Sequence, residues 1–262
     1  MLLYEKLSKI NLFIDETYNY KSNFNFFKNI IEIDSADYRN ALNIIENNLV
    51  IYDYSSLVCS LSQLNKLKYD IKPTVYAIVG NIGSGKSTFI HLLKELNIFD
   101  DDLNILMEDI YKSIFFNEIS DLKKSYAFAK TFLKEKLLHY VKQSANILLE
   151  MVPSNDLKLE ILKKLKEIGY KIVIFFIDTK DINHNIERVK KRITLGADFV
   201  SDEKIINREY KTNNNFKKLL NIKDEFYYFI SFKNCFELIS YWIKDDRIDI
   251  KNCYELEELL KM

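Results

Sequence analysis

The stretch "VYAIVGNIGSGKSTFI", Val75 to Ile90, limits the possible folds more than any other part of this chain. Three of the five glycines, Gly80, Gly83 and Gly85, fall within six residues directly behind an apolar run. Gly80-Asn81-Ile82-Gly83-Ser84-Gly85-Lys86-Ser87 matches the pattern G-x-x-x-x-G-K-[ST]. A polyphosphate is held by backbone N–H groups turned inward, and that geometry needs dihedrals and close approaches that glycine permits. The helix that follows aims its N-terminus at the anion. In such a loop Lys86 reaches the terminal phosphates and Ser87 offers its hydroxyl to Mg²⁺, with Thr88 completing the run of nucleotide-contacting residues from Gly80. The expected ligands are therefore ATP and Mg²⁺.

A loop of this kind belongs between a buried strand and a helix, and the chain downstream keeps that alternation. "TVYAIV" reads as a strand, and a helix follows over about residues 86–96. Further strands are expected at "LNILM" (103–107), "NILLE" (146–150), "KIVIFFI" (171–177) and "EFYYFISF" (225–232). The third of these is apolar from Ile172 to Ile177, as a central parallel strand should be. A long helix opened by Ser120 precedes "NILLE". Another, capped by Ser154 or Asn155 and closed by Gly169, follows it. Two more helical stretches span about 181–195 and 202–220, with "TNNN" (212–215) as a loop or helix break. "FELISYWI" and "RIDI" suggest a terminal hairpin, and "YELEELLK" a last helix. Alternation of this type implies an α/β fold, a P-loop kinase arrangement with a five-stranded parallel sheet between helices. Residues 73–262 form that domain. Residues 1–70 contain no glycine and read as a helical amino-terminal extension, with Tyr38, Ala41, Ile44 and Ile45, and then Leu57, Leu61 and Leu64, at helical spacing and with Ser35 and Ser55 as N-caps.

Composition narrows the function. Lys plus Arg and Asp plus Glu are both 38, so the basic surplus of a nucleic-acid binder is missing. Three cysteines, Cys59, Cys235 and Cys253, form no CxxC pair, which fits a reducing compartment. Glu5, Lys6 and Lys9 interrupt any signal-peptide core, and no apolar run approaches the roughly 18 residues that span a bilayer. The expectation is a soluble cytoplasmic protein that binds neither membrane nor nucleic acid. The three histidines, His91, His139 and His184, lack metal-ligand spacing and read as surface or packing residues.

Among phosphate-loop proteins, a GTPase lacks support, because no DxxG or NKxD signal is present. A motor-type ATPase would use Asp178, at the end of "IVIFFID", but Thr179 follows where a Glu is wanted. A small-molecule kinase needs a carboxylate near the acceptor hydroxyl, a second acid for substrate or metal, and arginines that neutralise the transferring group. Asp109 lies 23 residues after Lys86 at the carboxyl end of the second strand, with Glu108 as the rival base. Ligands bind at that edge of an open α/β sheet. Glu150 ends the third strand, where an acid without a purpose would be costly. Arg188 and Arg192 share a helix face, beside an apolar side made of Ile182, Ile186, Val189 and Ile193. Arg208 lies on the next helix.

From Pro73 to Asn234 the chain resembles the zeta toxin family of P-loop kinases. The resemblance rests on "GNIGSGKST", the acid after the second strand, "ILLE", and above all "LKLEILKKLKEIGYKIVIFFIDTKDINHNIERVKKR", with "FISFKN" as the last core strand and its trailing Asn234. It implies transfer of the ATP γ-phosphate to a hydroxyl of a sugar-nucleotide such as UDP-N-acetylglucosamine. By the same resemblance Lys86 and Ser87 bind ATP–Mg²⁺, Asp109 is the general base, and Glu150 contacts the acceptor or helps order the site. Glu135 is a second substrate-side acid, and Arg188 with Arg192 stabilises the transferring phosphoryl group. Two departures stand out: Met151 after the strand-ending Glu, and Gly196-Ala197-Asp198 where many members have Gly-Gly-His. Members are commonly silenced by a helical antitoxin, a role that a separate protein or residues 1–70 in cis would fill; residues 1–70 read equally as a helical cap that stabilises the fold or as a partner interface. Two other readings remain: an ATP-binding regulator without transfer activity, and the ATPase.

Overall fold

The structure, a computed structural model, describes residues 3, 7, 12–13, 26–27, 39, 54–66, 72–99, 102–119, 121–195, 197–232 and 235–262. Its strands are β1 (Leu12–Phe13), β2 (Thr74–Gly80), β3 (Asn104–Leu106), β4 (Ile147–Met151), β5 (Lys171–Thr179), β6 (Glu225–Phe232), β7 (Cys235–Ile243) and β8 (Asp246–Asp249). Its helices are α1 (Tyr54–Ser62), α2 (Lys86–Glu95), α3 (Glu108–Ile119), α4 (Leu122–Lys142), α5 (Asp156–Ile168), α6 (Ile182–Thr194), α7 (Asp202–Asn214), α8 (Phe216–Ile222) and α9 (Tyr254–Lys261).

The sheet runs in the order β1-β7-β6-β5-β2-β4-β3, with β8 also paired to β7. Its five strands from β6 to β3 are mutually parallel, and they are the five expected from the apolar runs. The sheet does not stop there, which corrects the expectation of a five-stranded sheet. The hairpin β7–β8 and the short β1 extend it on one edge by antiparallel pairing, giving eight strands among the described residues. Ile172 to Ile177 of β5 are all buried, so helices cover both faces of the central strands. Aromatic rings fill much of the space: Phe89 of α2 packs against Phe175, Phe229 and Phe236.

The strand order sets where the sheet changes direction. The chain leaves β2 toward β4 and β3 on one side, then returns to β5 on the other. The carboxyl end of β2 therefore opens at a topological switch point, where α/β sheets bind ligands. Register adds detail. Ile78 of β2 lies opposite Glu150 of β4, and Gly80 lies opposite Ile177 of β5.

Some local expectations hold, the Asn155 cap with Gly169 and the break within 212–215 among them, and others change. The helix α4 is capped by the Asp121 side chain, which accepts from Lys124 N at 3.1 Å; Ser120 lies outside the described residues. Asn155 caps α5 and Gly169 closes it. The stretch 202–220 is two helices, broken at Asn215, whose side-chain amide donates to Pro153 O at 2.8 Å. Ser55 sits inside α1 and is not its cap. In the amino-terminal segment Leu12–Phe13 is a strand, and the helix expected around Tyr38–Ile45 lies outside the described residues, apart from the helical Arg39. Leu7, Phe27, Leu57 and Leu61 belong to the same apolar cluster as the sheet.

Candidate functional site

The candidate phosphate loop follows β2 because a mostly buried strand hands the chain to a glycine-rich turn. Gly83 has φ 81°, and a Cβ on it would lie 2.6 Å from Asn185 O, so the loop is seated directly on the α6 backbone. Gly85, with φ 98°, occupies the cap position of α2 and brings no capping side chain. The first N–H groups of α2 are thus left for an anion. The buried Ser84 hydroxyl has no hydrogen-bond partner among the described residues.

Lys86 is 6% exposed and donates to Asn81 O at 2.8 Å, inside the loop. Burial pushes its ammonium down to about 8; Glu150 and Asp109 oppose that shift, whereas Arg192 and Lys158 add to it. Its nearest carboxylate oxygen belongs to Glu150, at 3.9 Å. Glu150 itself is raised above the usual carboxylate range, first by burial, while Lys86 pulls it down. The Ser87 hydroxyl faces the same carboxylate, 3.4 and 3.3 Å from its two oxygens. A desolvated cation short of negative charge, a bare helix N-terminus and a serine beside a carboxylate form a donor set suited to Mg²⁺ and a polyphosphate.

Asp109 stands exposed in the first turn of α3, close enough for its charge to act on both Lys86 and Glu150. Its neighbour Glu108 is engaged elsewhere. It accepts from the Tyr54 hydroxyl of α1 and pairs with Lys158 of α5 at 3.7 Å. Burial and then Glu108 hold the Tyr54 phenol well above its ordinary value, and Asp109 and Arg208 also act on it. Lys158 lies 4.9 Å from the centre of the Tyr54 ring.

Arg188 donates to the Ser231 hydroxyl at 2.9 Å and to Gly83 O at 3.4 Å, placing its guanidinium against the loop. Arg192, one turn on, acts on Lys86 and Glu150 through its charge. The buried side of α6 differs from expectation. Val189 is buried, Ile182, Ile186 and Ile193 are only half-buried, and Asn185 is 1% exposed. The close approach of Gly83 to the backbone at Asn185 explains the change. Ile82 and Thr88 are half-buried in and behind the loop. Glu135 lies exposed on α4. Asp178, the acid of an ATPase reading, accepts from the Tyr228 hydroxyl at 2.6 Å and from Thr179 N at 2.8 Å; burial pushes it up to about 6.

The structure therefore gathers Lys86, Ser87, Asp109, Glu150, Arg188 and Arg192 around one edge of the sheet. Lys158, Tyr54 and Glu209 join them and were missed in the sequence. For Lys158 a signal existed, because any residue in the first turn after β4 lies at the ligand-binding edge.

The sequence model of the zeta toxin family matches residues 60–226, from within α1 to the start of β6. The chain belongs to the zeta toxin family. The match holds every residue gathered at the site except Tyr54. Solved structures share the fold. The crystal structure of AvrRxo1-ORF1:AvrRxo1-ORF2 with sulphate ions aligns with TM-score 0.56 at 13% identity, covering 94% of this chain and 79% of that one. The same complex with ATP aligns with TM-score 0.54 at 15% identity, covering 96% and 80%. A structure from the PezAT toxin–antitoxin system of Streptococcus pneumoniae gives 0.52 at 13% identity, covering 88% and 94%. None of the curated protein sequences matches this chain. Membership of the zeta toxin family supports an ATP-using function of kinase type. No helix among the described residues is long and apolar enough to cross a membrane.

Proposed function

We propose that this protein is an ATP- and Mg²⁺-dependent kinase that transfers the γ-phosphoryl group to a hydroxyl of a small molecule. The acceptor that the family likeness favours is a sugar-nucleotide such as UDP-N-acetylglucosamine. One observation carries the proposal: the buried, under-compensated Lys86 shares the mouth of the phosphate loop with Ser87 and Glu150, within the field of an exposed Asp109.

The loop amides and Lys86 bind the phosphates. Ser87, steadied by Glu150, would hold Mg²⁺, which would supply positive charge to offset that of the phosphates. Asp109 accepts the proton of the acceptor hydroxyl as its oxygen bonds to the γ-phosphorus and the bridging bond to ADP breaks. Its exposure favours it over Glu108, whose carboxylate is taken by Tyr54 and Lys158. Arg188 and Arg192 offset charge on the transferring group. Glu150 also borders the acceptor, and Glu135, exposed on α4, is a more remote contact for it. A neighbour crystallised with ATP and another from a toxin–antitoxin system lend support to the nucleotide and to control by a protein antitoxin. Residues 1–70 are the alternative inhibitor, acting in cis.

The test is incubation with Mg²⁺ and γ-labelled ATP over a panel of sugar-nucleotides and nucleotides, with Lys86→Ala as control and mass spectrometry of the products. A labelled acceptor formed by the wild type alone is expected. Binding of ATP without transfer to any acceptor would refute the kinase reading in favour of a nucleotide-binding regulator.

A further inference from the structure

Glu209, on α7, has no part in the chemistry above, yet it joins three segments that are far apart in sequence. Its Oε2 accepts from Asn81 Nδ2 of the phosphate loop at 3.0 Å and from Asn185 Nδ2 of α6 at 3.4 Å. Asn81 is further tied to α7 by donation to Ile205 O at 3.3 Å, and its own Oδ1 accepts from Ile82 N at 2.8 Å. Both asparagines are buried, at 5% and 1% exposure. A buried amide that loses its acceptor carries a desolvation cost, so the carboxylate is not an idle neighbour.

The same interface sets the arginines. Gly83 sits against the Asn185 backbone, and Arg188, less than one turn further along α6, reaches Gly83 O and Ser231. A small slip of α6 along the loop would carry Arg188 and Arg192 with it, and misplacement on that scale costs transfer steeply. Glu209 bonds to a residue on each side of this contact, Asn81 of the loop and Asn185 of α6.

Its surroundings are unusual for a carboxylate. Asp178 faces it from β5, held by Tyr228 and Thr179 N, and Asp181 faces it from the start of α6. The loop contributes Asn81 and α6 contributes Asn185, both neutral. Burial and then Asp178 push Glu209 up to about 7, against the pull of its two amide donors.

We propose that Glu209 is a positioning residue for phosphoryl transfer: its carboxylate locks the phosphate loop and the arginine helix α6 in one register, so that Arg188 and Arg192 meet the terminal phosphate. This rests on the kinase reading. The arginines then discriminate ATP from ADP, and Glu209 controls that discrimination without touching nucleotide.

The test measures Mg·ATP and Mg·ADP affinity by calorimetry from about pH 6 to about pH 8.5, for wild type, Glu209→Gln and Glu209→Ala. Glu209→Gln is isosteric, so the fold survives even if the alanine variant does not. Glu209→Ala is expected to lower the ATP-to-ADP affinity ratio by about tenfold, with ADP binding little changed. Glu209→Gln should match the wild type at the acid end and fall below it above about pH 7, where the wild-type carboxylate is ionised and holds both amides more strongly. Comparing the two proteins at each pH cancels the titration of the nucleotide. Equal weakening of ATP and ADP, or a wild-type to Gln ratio that is flat in pH, overturns the proposal and leaves the kinase reading standing. Absence of Mg²⁺-dependent ATP binding by the wild type overturns both.

Discussion

Burial of Lys86 predicts that the phosphate loop destabilises the empty protein, and the cost is open to measurement. The ammonium is held near 8 against an ordinary 10.5, chiefly by desolvation, with Arg192 and Lys158 adding repulsion. In the unfolded chain the lysine regains its ordinary value. Between the two values the unfolded state binds more protons than the native state, so stability rises with pH across that window. The gap between 10.5 and about 8, at ~1.4 kcal/mol per pH unit, amounts to about 3 kcal/mol. Lys86→Met keeps the length of the stem and cannot titrate. Urea unfolding of nucleotide-free wild type and variant, compared at each pH, cancels groups that titrate alike in both. The wild-type free energy should gain on the variant by up to about 3 kcal/mol between about pH 7.5 and about pH 10.5. Saturating Mg·ATP should suppress the gain, because phosphate pairing returns the lysine toward its ordinary range. A difference that stays flat over the window would refute the claim that Lys86 is desolvated and short of negative charge.

Three further outcomes follow from the same geometry. Gly83→Ala places a Cβ 2.6 Å from Asn185 O at a φ of 81°, and thermal or urea unfolding should show a loss of about 2–4 kcal/mol from the backbone strain and the overpacking; unchanged stability would mean that α6 yields without cost. Asp109→Asn should lower transfer by about a hundredfold to ten-thousandfold in a labelled-ATP assay while calorimetry finds Mg·ATP affinity nearly intact. Ser87→Ala should make ATP affinity insensitive to added Mg²⁺, and a retained Mg²⁺ response would move the metal role to another side chain.

The parallel strands and the glycine-rich turn between β2 and α2 were legible because each rests on a local rule. A run such as "KIVIFFI" has one use in an α/β chain, and glycines at that spacing have one main chemistry. What failed was tertiary. Ser120 and Asp121 are adjacent and both able to cap, and only the fold selects Asp121. The isoleucines of α6 have the right period for a core face. The glycine of the loop instead draws the Asn185 side of the helix inward, and Glu209 supplies the acceptor that makes a buried asparagine tolerable. Tyr54 and Glu108 meet across 54 residues of sequence, and no spacing rule reaches that far. Leu12–Phe13 is too short to show strand alternation, and its place at the sheet edge depends on β7, more than 200 residues away.

The placement of the amino-terminal segment bears on how this kinase fold is controlled. Leu57 and Leu61 of α1 are buried in the same cluster as the central strands, at 2% and 0% exposure. Each such side chain stabilises the docked state by about 1.5–3 kcal/mol. Tyr54, at the start of that helix, holds Glu108 beside the proposed base. Release of this segment as an inhibitor in cis would therefore expose core and free Glu108 to compete with Asp109, at a cost that a regulatory switch must overcome. A separate protein covering the exposed mouth at Asp109 meets no such cost. The packing thus favours control from outside the chain, with α1 acting as part of the frame that sorts two adjacent carboxylates into a held one and an available one.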